Sequence, residues 1–151
     1  MEQTKTKKKP KKVFIEGAIS PQFIADSIAK HSTKTDIGAH NIFMGQVRAD
    51  VIEGKEVKAI EYSAYAEMAE KELHNIRESA FEQFDLTCMH IYHSLGTVKA
   101  GEISFFVFVS SKHRDECYKA SRFIVEEVKA KAPVFGKEIF DDGTHIWKKN
   151  D

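Results

Sequence analysis

Apolar residues in the segment AEMAEKELHNIRESAFEQF (66–84) return at Ala69, Leu73, Ile76, Ala80 and Phe84, with acids and bases between them. That spacing draws one stripe along a 3.6-residue period and predicts a helix with a single buried face. HRDECYKASRFIVEEVKAKA (113–132) repeats the pattern, with Cys117, Ser121, Ile124 and Val128 inward. PQFIADSIAKH (21–31) is a third helix, because Ser20 suits a cap and Pro21 the first turn. EISFFVFVSS (102–111) is apolar almost without a break, which predicts a strand at the centre of a sheet. LTCMHIYHSL (86–95) is the strand before it, across the connection GTVKAG. VFIEG (13–17), AHNIFMGQVR (39–48) and VKAIEYSAY (57–65) are further strands, the second interrupted by Gly45 where either backbone permissiveness or a close approach is wanted. ADVIEGK (49–55) reads as a mobile loop. VFGKEIF, the turn Asp142-Gly143 and THIWK form a terminal hairpin.

Strands therefore arrive in adjacent pairs between helices. That order predicts an α+β domain with a mostly antiparallel sheet and packed helices. At 151 residues the chain reads as one domain over 13–151, long enough to bury about two thirds of its unfolded surface.

Composition narrows the class. Hydrophobic residues at 42% and charged residues at 30% suit a globular protein. No apolar run is long enough to span a membrane, and the first residues lack the apolar segment of a signal peptide. Cys88 and Cys117 are too few for a disulfide framework, so a reducing cytoplasm is the expected location. Charge is unevenly placed. Residues 1–12 hold six of the 23 basic residues and one of the 23 acidic ones, which leaves 17 basic against 22 acidic in the body. The tail reads as a disordered basic extension, and the acidic body argues against nucleic acid as a partner.

Candidate chemistry gathers at the ends of the last helix. In SSKHRDE (110–116) two serines can cap the helix, and Lys112, His113 and Arg114 open it. A helix N-terminus attracts anions and disfavours cations, so a phosphate or carboxylate ligand explains the three bases. Self-neutralisation by Asp115 and Glu116 is the other reading. At the far end, EEVKAKAPVFGKE (126–138) sets Lys129, Lys131 and Lys137 around Pro133. Lys129 falls at the edge of the buried stripe, where it either covers the core with its stem or, partly buried, serves proton transfer. GQVR (45–48) brings Arg48 to a strand end, as a rim ion pair or a fork for phosphate oxygens. Metal binding is not expected. His90 and His93 point to opposite faces of one strand, and Cys88 with His90 supplies only two ligands. Cys117 with His113 at i, i+4 has nucleophile–base spacing, but Cys117 lies on the inner stripe and reads as a packed thiol.

Taken together, GAHNIFMGQVR (38–48), IEYSAYAEMAEKEL (60–73), HSLGTVKAGE (93–102), VSSKHRDECYKASRFIVEEVKAKAP (109–133) and KEIFDDGTHIW (137–147) resemble, in order, the large catalytic subunits of molybdopterin synthase. The resemblance implies an α/β hammerhead fold with a small β-rich extension. It also implies a heterotetramer, in which two large subunits form a homodimer and each accepts a small ubiquitin-like sulfur-carrier subunit. The carrier's C-terminal thiocarboxylate enters a pocket of the large subunit. Two sulfur transfers to cyclic pyranopterin monophosphate then build the dithiolene of molybdopterin, with no metal or organic cofactor. By motif, Gln46, Val47, Arg48, His113, Arg114, Lys129, Gly136, Lys137 and Glu138 match substrate-binding positions, with Lys129 and Lys137 as the catalytic pair.

Two departures stand out. Gly136 occupies a position where the family often has a catalytic lysine; Lys137 is one place on, and one step along a strand reverses a side chain. Either a bulge at Gly136 turns Lys137 inward, which is the expectation here, or Lys129 carries more of the work. In HSLG (93–96), Ser94 replaces a frequent arginine. Two rival functions remain: a docking module for a ubiquitin-like partner without turnover, and an unrelated phosphate-ester enzyme. One geometric constraint is independent of family. His113 and Lys129 are 16 residues apart, so a continuous helix holds them roughly 24 Å apart along its axis. If both serve one site, they come from different protomers.

Overall fold

A computed structural model describes residues 12–149. The element order is β1 (Phe14–Glu16), α1 (Pro21–Lys30), β2 (Ala39–Gln46), β3 (Val51–Ile52), β4 (Lys55–Ala64), α2 (Ala66–Gln83), β5 (Cys88–Lys99), β6 (Ile103–Ser111), α3 (Arg114–Lys131), β7 (Val134–Phe140) and β8 (His145–Trp147). The basic segment 1–12 lies outside the described residues except for Lys12. No described helix is long and apolar enough to cross a membrane.

The strands run in the order β2-β6-β5-β4-β7-β8, with β1 on β5 and β3 on β4. All pairings are antiparallel except β1 with β5, as the α+β reading expects. β5 binds the two halves together. Its residues 88–93 pair with β6 and 96–99 with β4, and Gly96 at φ 85° marks the handover.

Both faces of the β5–β6 region are covered, which explains the unbroken apolar run. Phe106 and Phe108 point towards α1 and pack with Ile19 and Ile24. Phe105, Val107 and Val109 point the other way and pack with Leu73, Ile76, Cys117, Ile124 and Val128 of α2 and α3. Each fully buried Phe of this kind contributes about 1.5–3 kcal/mol. α1 starts as its sequence dictates, with Ser20 Oγ accepting from Phe23 N at 3.0 Å.

Three local expectations are corrected. Residues 49–55 are not a loose loop. β3 and the start of β4 form a tight hairpin about Glu53-Gly54, both with positive φ, the geometry that matches strand twist. The stretch 96–99 is strand rather than connection, because it carries the pairing to β4. Ser110 and Ser111 do not cap α3. Both are buried in β6, and the cap is His113, without a side-chain bond to the helix.

Candidate functional site

An open cleft of about 620 Å³ lies where the end of β2, the C-terminal turns of α3 and the β4–β7 ladder converge. Phe43, Gly45, Gln46 and Phe105 form one wall, Val128, Lys129 and Ala132 a second, and Ile60, Tyr62, Val134 and Gly136 a third. Gly45 creates the opening. The β2–β6 register shifts between Gly45 and Gln46, and a Cβ at 45 would meet Phe105 Cβ at 3.1 Å. The close approach expected there is present.

Arg48, Lys129 and Lys148 line this cleft, and no carboxylate does among the described residues. Arg48 is both rim ion pair and cleft residue. Its Nε lies 3.1 Å from Asp50 Oδ1 and its Nη2 3.3 Å from Oδ2, which holds the guanidinium side-on. Lys129 is exposed to the cleft rather than desolvated, with Nζ 5.8 Å from the centre of the Phe105 ring. Lys148 reaches the cleft because its backbone N–H donates to the Gly136 carbonyl at 2.8 Å.

His93 forms part of the inner wall. Its Nδ1 lies 2.8 Å from the Ser94 carbonyl, which can only accept, so Nδ1 carries the proton and Nε2 the lone pair. Burial pulls its pKa from 6.5 down to about 4; the bond to Ser94 opposes this and the charge of Lys129 adds to it. The ring is therefore neutral at pH 7, edge-on to Tyr62 at 5.0 Å. Tyr62 OH and Ser104 Oγ are 3.1 Å apart. Burial raises the Tyr62 pKa, the bond to Ser104 lowers it, and Glu138 raises it further.

The expected site residues divide. Gln46, Arg48, Lys129 and Gly136 meet in the cleft. Val47 sits in a small core with Ile60 and Val98, and only its chain neighbours Gln46 and Arg48 line the cleft. Glu138 is buried beside the cleft, opposite Ile60 in the ladder. Lys137 faces away. The β4–β7 register runs unbroken from Ala59↔Ile139 to Ala64↔Val134, so there is no bulge at Gly136. Lys137 Nζ instead meets Glu61 Oε1 at 3.3 Å and lies over the Trp147 ring. His113 and Arg114 are exposed at the opposite end of α3, which is one continuous helix of 18 residues. Asp115 and Glu116 share that first turn, as the self-neutralised reading expects, although Asp115 also pairs with Lys119 and Glu116 accepts from the Asp85 N–H.

His93, Tyr62, Ser104 and Lys148 were not anticipated. Strand alternation from Met89 and Ile91 would have placed His93 on the α3 side. Hairpin register would have set Lys148 beside Gly136, since Lys137 pairs with Trp147.

The family model described as "MoaE protein" matches residues 18–131. The chain belongs to the MoaE family. A molybdopterin synthase catalytic subunit from Pyrococcus abyssi is 38% identical over 144 residues, covering 95% of this chain and 89% of that one. The namesake from Oryza sativa subsp. indica is 42% identical over 113 residues, covering 75% of this chain and only 58% of its own length. Among solved structures, a molybdopterin synthase from Staphylococcus aureus superposes with a TM-score of 0.79 at 29% identity, covering 91% of this chain and 96% of that one. A complex of subunits 1 and 2 of molybdopterin-converting factor from Helicobacter pylori shares the fold, with a TM-score of 0.77 at 20% identity over 91% of this chain and 89% of that one. The MoaE match ends at Lys131, so Gly136, Lys137 and Lys148 lie beyond it.

Proposed function

We propose that this chain is the sulfur-transferring subunit of a molybdopterin synthase, acting in molybdenum cofactor biosynthesis. The carrying observation is the cleft in which Arg48, Lys129 and Lys148 meet with no carboxylate among its lining residues. Such a site selects an anion. A small ubiquitin-like carrier inserts its C-terminal thiocarboxylate between the α3 end and β7. Lys129 and Lys148 hold it by charge-assisted hydrogen bonds, Lys148 filling the role of the lysine missing at Gly136. Lys137, paired with Glu61, is left outside.

The thiocarboxylate sulfur attacks a carbon of cyclic pyranopterin monophosphate. The carbon–oxygen bond at that carbon breaks, its oxygen leaving as water or on the phosphate, and an acyl thioester results. Water then cleaves the acyl–sulfur bond, leaving sulfur on the pterin and a carboxylate on the carrier. Lys129 and Lys148 stabilise the negative charge that develops on the acyl oxygen. Neutral His93 offers Nε2 as an acceptor at the inner wall. Arg48 takes phosphate oxygens, joined by His113 and Arg114 of a second copy, because the 18-residue α3 separates those two from the cleft of their own chain. The assembly is then a homodimer carrying two carriers. Incubation with thiocarboxylated carrier and cyclic pyranopterin monophosphate tests the reading; it requires dithiolene product, and carrier bound without product leaves only a docking module.

A further inference from the structure

On the opposite side of the sheet, remote from the cleft, three side chains with donor atoms meet. Strand alternation sends Cys88 and His90 of β5 to the α1 face, and His31, the residue that closes α1, reaches across to them. One ligand atom from each lies within 4.8 Å of the other two. The sequence shows only the Cys88–His90 pair, because the third ligand is 57 positions earlier in the chain.

The geometry is that of a prepared site. His31 Nε2 and His90 Nε2 are 3.1 Å apart. Two nitrogens bound tetrahedrally at about 2.0–2.1 Å from zinc are about 3.3 Å apart, close to the spacing here, and the proton that His90 Nε2 donates to His31 Nε2 must leave as an ion binds. His31 Nδ1 lies 2.7 Å from the Ser27 carbonyl, so Nδ1 donates and Nε2 keeps its lone pair towards His90. A backbone carbonyl behind the distal ring nitrogen is the usual support of a metal-bound imidazole. His31 and Cys88 are 8% and 7% exposed, and the His31 ring packs against Phe108 at 4.7 Å, so the ligands are held before any ion arrives.

Charge agrees with geometry. The trio sits at the C-terminal end of α1, where the helix dipole favours a cation. A cation is already on the sulfur: Lys34 Nζ lies 2.8 Å from Cys88 Sγ. Lys34 is exposed on the turn after α1 and can withdraw into water as an ion replaces it.

We propose that His31, Cys88 and His90 form a binding site for a borderline-soft divalent cation, zinc above all, which ties the end of α1 to β5. Two imidazoles and a thiolate select zinc over calcium or magnesium, and three protein ligands leave a fourth position for water. The role is structural, since the reaction proposed for the cleft requires no metal.

The test titrates untagged, chelator-stripped full-length chain with zinc and, as a spectroscopic probe, cobalt(II). The expected result is one equivalent bound, a thiolate-to-cobalt charge-transfer band with tetrahedral d–d absorption, displacement of cobalt by zinc, and a higher Tm with zinc. Cys88→Ser removes the charge-transfer band, and Cys88→Ser and His31→Gln each weaken zinc binding at least about 10-fold, the lower end of what loss of even an outer-shell partner costs. Circular dichroism checks that each variant is folded; should His31→Gln unfold, the nearly isosteric Cys88→Ser decides alone. Absence of stoichiometric binding by the unmodified chain, or a cobalt spectrum that Cys88→Ser leaves unchanged, overturns the proposal.

Discussion

Lys137 and Glu61 face each other across the β7–β4 ladder, Nζ to Oε1 3.3 Å, on the side of the sheet away from the cleft. The pair holds Lys137, the lysine next to Gly136, outside the cleft that Gly136 lines. Inward rotation would require a register break that the ladder does not contain, because Glu61↔Lys137 and Tyr62↔Gly136 are successive partners. Lys148, the residue after β8, enters the same space, its N–H bonded to the Gly136 carbonyl.

The lysines therefore separate by experiment. Lys129→Ala and Lys148→Ala each lower the rate of sulfur transfer by about 10²–10³-fold, the cost of deleting one donor to a developing oxyanion. Lys137→Ala changes it less than about threefold and costs stability about 0–1 kcal/mol, the range of a partly exposed ion pair. Single-turnover assays with thiocarboxylated carrier read all three. A large loss in Lys137→Ala alone would return the catalytic role to it.

His93 supplies a pH signature. Its native pKa, about 4, lies below the ordinary 6.5 of an unfolded chain. Between those values the unfolded state binds a proton that the native state does not. The stability it contributes is thus present above about pH 6.5 and is lost as pH falls towards 4, by roughly 3 kcal/mol at most. Urea unfolding at pH 7 and pH 4.5 should show a larger drop in the unmodified chain than in His93→Gln. Parallel pH profiles would mean that His93 is not held neutral.

Most of the fold was legible because its signals are periodic. The stripe Ala69–Leu73–Ile76–Ala80 and the continuous run through Phe105–Val109 have one stable solution, a helix pair on one face of a sheet and α1 on the other. The lining of the cleft was legible where a motif pointed to it, at Arg48 and Lys129. It was not legible where strand register decides. Whether Lys137 or Lys148 enters the cleft depends on the β4–β7–β8 pairing, which the residues next to Gly136 do not show without the register of the hairpin. His31 meeting Cys88 and His90 is the same kind of fact, a product of α1 docking on β5.

Arg48 is held side-on by Asp50, and that pose needs a planar fork. Arg48→Lys keeps the charge but loses the second donor. The expected effect is a KM for the phosphorylated pterin raised about 10–100-fold, the worth of one charged hydrogen bond at about 1.5–3 kcal/mol, with kcat within a few-fold. Steady-state kinetics at saturating carrier separate the two constants. An unchanged KM would confine Arg48 to its rim pair.

The last prediction concerns the two ends of α3. If each site takes Lys129 from one protomer and His113 with Arg114 from the other, neither Lys129→Ala nor the double variant His113→Ala/Arg114→Ala is active alone, yet a mixture regains activity. Equal amounts, denatured together and refolded, give half heterodimers by chance under two-fold symmetry. Each heterodimer has one site that is wild type in both halves and one that lacks both, so recovery should reach about a quarter of the unmodified rate. Sites built within one protomer cannot behave this way, because the mixture would then contain only damaged clefts and would stay as inactive as its components.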